Sequence, residues 1–202
     1  EFGEHYARLP LVKSANIVQG NALRIDWQSV VPRAQLSYIL GNPPFVGKKE
    51  QSPEQKADHL AVTSGIAGAS VLDFVAGWYV KAAQLIWGTS IRVGLVSTNS
   101  ITQGEQVGPL WGWLLSQDVK IHFAHRTFRW SNDARGVAAV HCVIVGFACG
   151  PWPTRRLFDY ATLTAEPQEH RASNINPYLV DADDVLLDSR RVPISSVPAM
   201  SF

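Results

Sequence analysis

The sequence predicts an α/β fold whose sheet ends in an antiparallel hairpin. Strand-like and helix-like spacings of hydrophobic residues alternate through the first part of the chain. Two further strand-like runs then follow one another directly, joined by the polar loop SNDARGV. With 202 residues, of which 46% are hydrophobic, the chain can bury one well-packed core.

The first predicted elements are two short strands and a helix. The stretch ANIVQGNAL indicates a short strand with a break at Gly20-Asn21, and LSYILGN indicates a buried strand that ends at Gly41. Apolar residues between Leu72 and Ile86 recur at helical spacing.

A buried strand, a short helix and the hairpin follow. The run IRVGLVS is continuously apolar, as are strands buried on both faces of a parallel sheet. The stretch PLWGWLLSQ predicts a short helix. The runs VKIHFAHRTFRW and AAVHCVIVGFA predict the two strands of the hairpin.

A change of composition after Gly150 predicts a domain boundary. The stretch GPWPTRR carries two prolines and a cationic pair, and most of the later residues are polar with scattered turns. We therefore assign residues 1–150 to one domain and 151–202 to a linker and the start of a second region. The chain opens without an initiator methionine and stops without a terminating element, so we expect it to be a piece of a longer protein.

The net charge and the cysteine content restrict the kinds of partner and the cellular compartment that we expect for the chain. The net charge of +1 gives no general positive field, so a nucleic-acid partner must be met by a local patch. Only two cysteines are present, Cys142 and Cys149, which argues against a disulfide framework and favours a reducing, cytoplasmic setting. No apolar run approaches the ~20 residues of a membrane span.

The segment Asn42-Pro43-Pro44-Phe45 carries the strongest functional signal. A residue before proline is pushed out of the helical region, and proline itself has no N–H. The loop is therefore stiff and offers the Asn42 side-chain oxygen and the Pro43 carbonyl as neighbouring acceptors. Two such acceptors suit a planar NH2 group, and Phe45 adds a flat surface for stacking. Ligands usually bind at this carboxyl edge of an α/β sheet.

This pair of acceptors suits chemistry at a ring amino group. Such an amine is a poor nucleophile because its lone pair is delocalised into the ring. Holding both hydrogens draws the nitrogen towards tetrahedral geometry, which makes the lone pair available to an electrophile placed in line. Stacking a flipped base on an aromatic ring contributes roughly 1–3 kcal/mol, which offsets much of the unstacking cost.

Residues 42–45 match, residue for residue, the motif (N/D/S)-P-P-(Y/F/W), and the chain resembles the S-adenosylmethionine-dependent amino-methyltransferases that carry it. Longer stretches resemble the MmeI-like group of single-chain bacterial enzymes, which combine restriction nuclease, DNA-adenine methyltransferase and target recognition. Those stretches are GNPPFVGKKEQS, LDFVAGWYVKAA, VSTNSITQGEQV, HFAHRTFRWSNDARGVAAVHCVIVGF and NINPYLV.

The resemblance implies a Rossmann-like methyltransferase sheet that lacks its first strands. Residues 1–150 would be the carboxyl-terminal part of the catalytic domain, and 151–202 a linker and the start of a target-recognition region. The Gly-rich cofactor loop and the nuclease would lie upstream, and the rest of the recognition domain downstream. The parent would methylate the N6 amino group of a flipped adenine in double-stranded DNA with S-adenosylmethionine, while the isolated chain would be inactive.

The resemblance also implies roles for individual residues. Asn42, Pro43, Pro44 and Phe45 would be catalytic. Asn21 and Leu23 would hold the adenine of the cofactor, although the family more often has Asp at the position of Asn21. Phe128 and Trp130 would give a second aromatic contact to the flipped base, but their shared face of a strand suits core packing equally well.

Several cations follow the motif or lie around the hairpin. Lys48, Lys49, Arg126, Arg129 and Arg135 are candidates for contacts with DNA phosphates, or else form a solvated surface. His122 and His125 are three apart on a predicted strand and would point to opposite faces, so we expect no metal site.

Three alternatives stay open. The motif can be a rigid turn whose phenylalanine packs in the core. The same chemistry also acts on a glutamine side-chain amide, and glutamine methyltransferases of translation release factors carry a similar Asn-Pro-Pro-Tyr motif. A fragment without the cofactor loop can also be an inert scaffold.

Overall fold

A six-stranded mixed sheet forms the centre of the molecule. The structure is a computed structural model that describes residues 15–130 and 140–187. The strands run in the order β1-β2-β4-β3-β5-β6. Their bounds are Tyr38–Gly41 (β1), Arg92–Thr98 (β2), Val119–Trp130 (β3), Val140–Cys149 (β4), Arg155–Asp159 (β5) and Gln168–Ala172 (β6).

The predicted α/β sheet with a hairpin is confirmed. β1 and β2 are parallel, β4 lies antiparallel between β2 and β3, and β3 and β4 form the hairpin. β5 then pairs parallel with β3, and β6 pairs antiparallel with β5. The sheet therefore continues past Gly150 as far as residue 172, while the domain boundary at that point stays a prediction.

Four α-helices accompany the sheet in the described part of the chain: Trp27–Val30 (α1), Pro53–Val62 (α2), Ala76–Ile86 (α3) and Val107–Ser116 (α4). α2 begins with a capping box in which Ser52 and Gln55 exchange hydrogen bonds, and Pro53 takes the first helical position. None of the described helices has the length and apolar character needed to cross a membrane.

The core lies between the sheet and helices α3 and α4. Tyr79, Trp111 and Phe147 are fully buried there, and the rings of Tyr79 and Phe147 stack at 5.4 Å. The Tyr79 hydroxyl lies 2.7 Å from Ser97 Oγ on β2, which satisfies both buried hydroxyls. Burial raises the pKa of Tyr79, so the phenol stays neutral.

Two sequence expectations at the start of the sheet are wrong. ANIVQGNAL forms no strand: the backbone N–H groups of Arg24 and Ile25 both donate to the Asn21 carbonyl, closing a turn. The Asn21 side chain accepts from Leu23 N as well, and such local bonds compete with a strand ladder. β1 forms as predicted but is not buried on both sides, since Leu40 is 78% exposed.

On the face of the sheet opposite the core, an aromatic ring packs closely against a glycine. Phe123 lies directly over Gly146, and a Cβ added to Gly146 would stand 2.0 Å from Phe123 Cε1. Only glycine leaves room for a ring at that distance.

We predict that Gly146→Ala destabilises the protein by about 1–3 kcal/mol in urea unfolding, because the ring must move. In a Phe123→Ala background the same substitution should cost much less. The control is Gly112→Ala in α4, where the added methyl meets Leu186 at an ordinary 3.4 Å. Equal losses for Gly146→Ala in both backgrounds would contradict this packing.

Candidate active site

A cavity of about 690 Å³ opens where β1 ends. It is bounded on one side by the loop that carries the motif Asn42 to Phe45, called the motif loop below. On the other side it is bounded by α2, α3 and the turn at Asn21. Its lining residues are Gly20, Asn21, Ala22, Trp27, Ile39, Leu40, Gly41, Asn42, Pro43, Pro44, Glu54, Gln55, Asp58, Phe74, Trp78 and Leu95.

The motif loop forms one wall of this cavity. Asn42 and Pro44 are exposed, and Pro43 is buried. Phe45 is half-buried and does not line the cavity. Asn42 thus lines the cavity, on a backbone that two prolines stiffen.

Residues just after the motif are tied to the start of α3. Val46 O accepts from Phe74 N at 2.9 Å, and Lys48 N donates to Asp73 Oδ1 at 2.8 Å. The loop is therefore anchored directly after Phe45.

Several aromatic side chains form the second wall of the cavity, which the sequence analysis did not predict. Phe74 is 4% exposed and packs edge-on against Trp78, with ring centroids 5.2 Å apart. Trp27 lines the cavity as well, and its Nε1 donates to Ala22 O at 2.8 Å. Phe74 and Trp78 are four residues apart around the start of α3. A second apolar stripe there, beside the stripe that faces the core, was the sequence signal that could have predicted this wall.

The Asn21 turn forms a third, polar wall. Asn21 Nδ2 donates to Asp58 Oδ2 at 2.7 Å, and its Oδ1 accepts from Leu23 N at 3.0 Å. Asp58 is 9% exposed and also accepts from Arg24 Nε at 2.7 Å. This bond to Asp58, followed by one to Glu54, raises the pKa of Arg24. The Asn21 amide is thus held in one orientation, whereas Leu23 is buried and absent from the lining.

Lys81 of α3 binds the backbone of the same turn. Its Nζ donates to the carbonyls of Ala22, Leu23 and Ile25 at 2.9, 2.7 and 2.5 Å. Burial lowers its pKa, which Asp26 partly opposes. Three convergent carbonyls bound by one cation fix the backbone of this wall, a role that no sequence motif indicated.

The predicted base contacts lie elsewhere on the sheet edge. Phe128 and Trp130 are on β3, which β4 and β2 separate from β1, and neither lines the cavity. Phe128 stacks on Tyr160 at 5.3 Å, and the Tyr160 hydroxyl lies 2.7 Å from His125 Nδ1. Two strands lie between these residues and β1, and their contact with a base stays a prediction.

The predicted phosphate contacts differ in their surroundings. Lys48 forms an ion pair with Glu105, and Arg126 forms one with Asp159 at 2.9 Å. Lys49 and Arg129 are exposed. Arg135 lies outside the described residues. Exposed pairs of this kind are weak and leave the cations available to exchange partners, so their role towards DNA stays a prediction.

The two histidines serve separate aromatic contacts. His122 packs beside Trp152 at 5.2 Å, and His125 stacks on Phe158 at 4.2 Å. Burial, then the charge of Arg92, lowers the pKa of His122 to about 4. Within residues 15–130 and 140–187, no group of three metal-ligating side chains comes together.

Comparison with known proteins identifies the family of the chain. Residues 1–159 match the family model described as MmeI, DNA-methyltransferase domain. DNA methyltransferase A of Bacillus subtilis (strain 168) is 39% identical over 196 residues, which are 96% of this chain and 22% of that protein.

A solved structure matches at the level of the whole fold. The Type IIL restriction-modification enzyme MmeI, determined in complex with DNA, superposes with a TM-score of 0.90 at 52% identity. The match covers 98% of this chain and 26% of that enzyme's chain, so the chain spans about a quarter of the length of that relative. The chain belongs to the MmeI DNA-methyltransferase domain family.

Proposed function

We propose that this chain is the part of a DNA methyltransferase that presents the reacting amino group, and that the amine is N6 of an adenine flipped out of duplex DNA. The observation that carries the proposal is Asn42-Pro43-Pro44-Phe45 at the end of β1, with Asn42 on the wall of a 690 Å³ cavity. Family membership supports methyl transfer to DNA, and the asparagine at the first motif position favours adenine.

Asn42 and Pro43 act on the amine by accepting its two hydrogens. The Asn42 side-chain oxygen and the Pro43 carbonyl lie on consecutive residues of a stiff loop, and Pro43 and Pro44 add no N–H that would compete. Acceptors on both hydrogens favour the positive charge that develops on nitrogen during the transfer. Phe45 gives the flipped base a ring on which to stack.

The cavity suits S-adenosylmethionine as the cofactor. Its walls combine the aromatic rings of Trp27, Phe74 and Trp78, which fit a purine, with the polar side chains of Asn21 and Asp58. When bound, the cofactor supplies an electrophilic methyl group. In this proposal Asn21 and the neighbouring turn hold the adenine side of the cofactor, and Lys81 keeps that turn in place.

The parent protein, of which this chain is about a quarter by comparison with its relatives, is proposed to bind double-stranded DNA. Exposed Lys49 and Arg129, together with Lys48 and Arg126 after exchange of their carboxylate partners, are the proposed phosphate contacts. Phe128 and Trp130 are the proposed second aromatic contact, and β2 and β4 lie between their strand and β1.

Asn42→Ala in the intact parent enzyme should lower the rate of methyl transfer by about 10²–10³-fold, which corresponds to about 3 kcal/mol or more in the transition state. Cofactor affinity, measured by calorimetry, should stay within about threefold. The matched control is Asn42→Asp, which keeps one acceptor oxygen and should retain more activity than the alanine variant. Wild-type turnover by Asn42→Ala would contradict the proposed mechanism.

Lys81→Met in the parent should weaken S-adenosylmethionine binding about tenfold, or about 1.4 kcal/mol, because three carbonyls of the Asn21 turn lose their shared cation. Lys120→Met is the control, since Lys120 pairs with Asp184 at 3.0 Å and lies outside the cavity lining. Equal calorimetric affinities for the Lys81 and Lys120 variants would rule out the turn as a cofactor wall.

Base flipping separates DNA from a peptide glutamine as the substrate. A duplex with 2-aminopurine at the target position should brighten when the parent enzyme binds, because flipping unstacks the analogue. Phe45→Ala should weaken methylation and raise the fluorescence of the complex, since Phe45 no longer quenches the base. Binding should also weaken with salt, with a slope of roughly 0.9 per phosphate contact. An analogue that stays dark in every sequence context, with methylation of a peptide glutamine, would favour the glutamine enzyme.

A further inference from the structure

The carboxylate of Asp73, which lies between α2 and α3, joins three chain segments around the motif loop. Its Oδ1 accepts from Lys48 N at 2.8 Å. Its Oδ2 accepts from Ser100 Oγ at 2.8 Å and from Gln106 Nε2 at 2.7 Å. The Asp73 backbone N donates in return to Gln106 Oε1 at 2.8 Å. These partners are 25, 27 and 33 residues away in sequence, so one side chain fixes three otherwise separate segments.

The hydrogen bonds to the Asp73 side chain come from three donors, a pattern that suits a carboxylate. Such a group only accepts hydrogen bonds and has room for several donors, and bonds to it are about twice as strong as neutral ones. An amide of the same shape would turn an N–H2 group towards either Lys48 N or the two donors on Oδ2. Gln106 is 8% exposed, which leaves little access for water to replace a lost partner.

The segments held by Asp73 are those that border the reacting groups. Lys48 comes three residues after Phe45, and the adjacent Phe74 N binds Val46 O at 2.9 Å. Ser100 follows the end of β2, the strand beside β1, and its hydroxyl also bonds Thr98 Oγ1 at 2.8 Å. The motif loop is thereby placed against the carboxyl end of the neighbouring strand.

We propose that Asp73 is a positioning residue for the methyl transfer: it sets the loop that carries Asn42 and Phe45 against the end of β2, and does not touch the reacting atoms. This inference rests on the function proposed above. It assigns to the carboxylate a role in the rate of the transfer rather than in binding either substrate.

The test is an exchange of donor and acceptor in the full-length parent enzyme. Asp73→Asn puts an N–H2 group against the donors on Oδ2, and Gln106→Glu puts a second carboxylate beside Asp73. In the double variant the amide introduced at position 73 donates to the carboxylate introduced at position 106, whose second oxygen still accepts from the backbone N of position 73. The charge of the pair is unchanged. Asp184→Asn is the control, because Asp184 binds Lys120 and Asn174 away from the loop.

Each single variant should lower kcat at least tenfold, with KM for S-adenosylmethionine and for DNA within about threefold of wild type. Hydrogen exchange of the peptide covering residues 46–50 should speed up about tenfold in the enzyme without ligands. The double variant should recover most of both losses, and the control should match wild type.

Three results would overturn the proposal. One is a double variant that regains slow exchange but not kcat, which would place the Asp73 carboxylate in the chemistry itself. Another is an unchanged kcat in both single variants. The third is a loss confined to KM.

If Asp73→Asn fails to fold, Gln106→Glu and Ser100→Ala carry the same comparison, and normal kcat and exchange in both would overturn the proposal. A wild-type parent that does not methylate DNA would instead refute the proposed function. The two failures can be told apart because the hydrogen-exchange measurement needs no methyltransferase activity.

Discussion

The contact between the motif loop and the start of α3 is the constraint on which the rest of the site depends. Asn42-Pro43-Pro44 is stiff by itself, but stiffness does not set direction. Direction comes from Val46 O bound to Phe74 N and from Lys48 N bound to Asp73. Two backbone anchors within three residues of Phe45 therefore fix the direction of the loop.

The same stretch of chain organises the other walls. Phe74 and Trp78 form the aromatic side of the cavity, and Lys81 binds three carbonyls of the Asn21 turn. The segment from Asp73 to Lys81 therefore contacts the motif loop at one end and the turn at Asn21, the proposed cofactor wall, at the other.

The sequence carried the fold class because its strands and helices are strongly patterned. The apolar run of β2 and the hairpin formed where they were expected, and the helix predicted between Leu72 and Ile86 forms from Ala76 onwards. The stiff loop after β1 was also predictable, because the restrictions that proline imposes are local. The strand expected at ANIVQGNAL failed because a local bond from Leu23 N to Asn21 competes with pairing.

Long-range contacts were out of reach of the sequence. Lys81 clamps residues 56 to 59 positions away, and Asp58 binds Asn21 across 37 positions, so neither shows a spacing pattern. The exposed face of β1 was missed for a related reason, since burial depends on which strands and helices pack beside it. The sequence showed the aromatic residues Phe128 and Trp130, but it could not show that two strands lie between their strand and β1.

The identity of the methylated base tests the central claim most directly. DNA treated with the intact parent enzyme and S-adenosylmethionine can be digested to nucleosides and separated by liquid chromatography with mass detection. Acceptors on Asn42 and Pro43 beside the cavity, with asparagine at the first motif position, predict N6-methyladenine as the only methylated nucleoside. N4-methylcytosine, or the absence of any methylated nucleoside from DNA that the enzyme binds, would contradict the account.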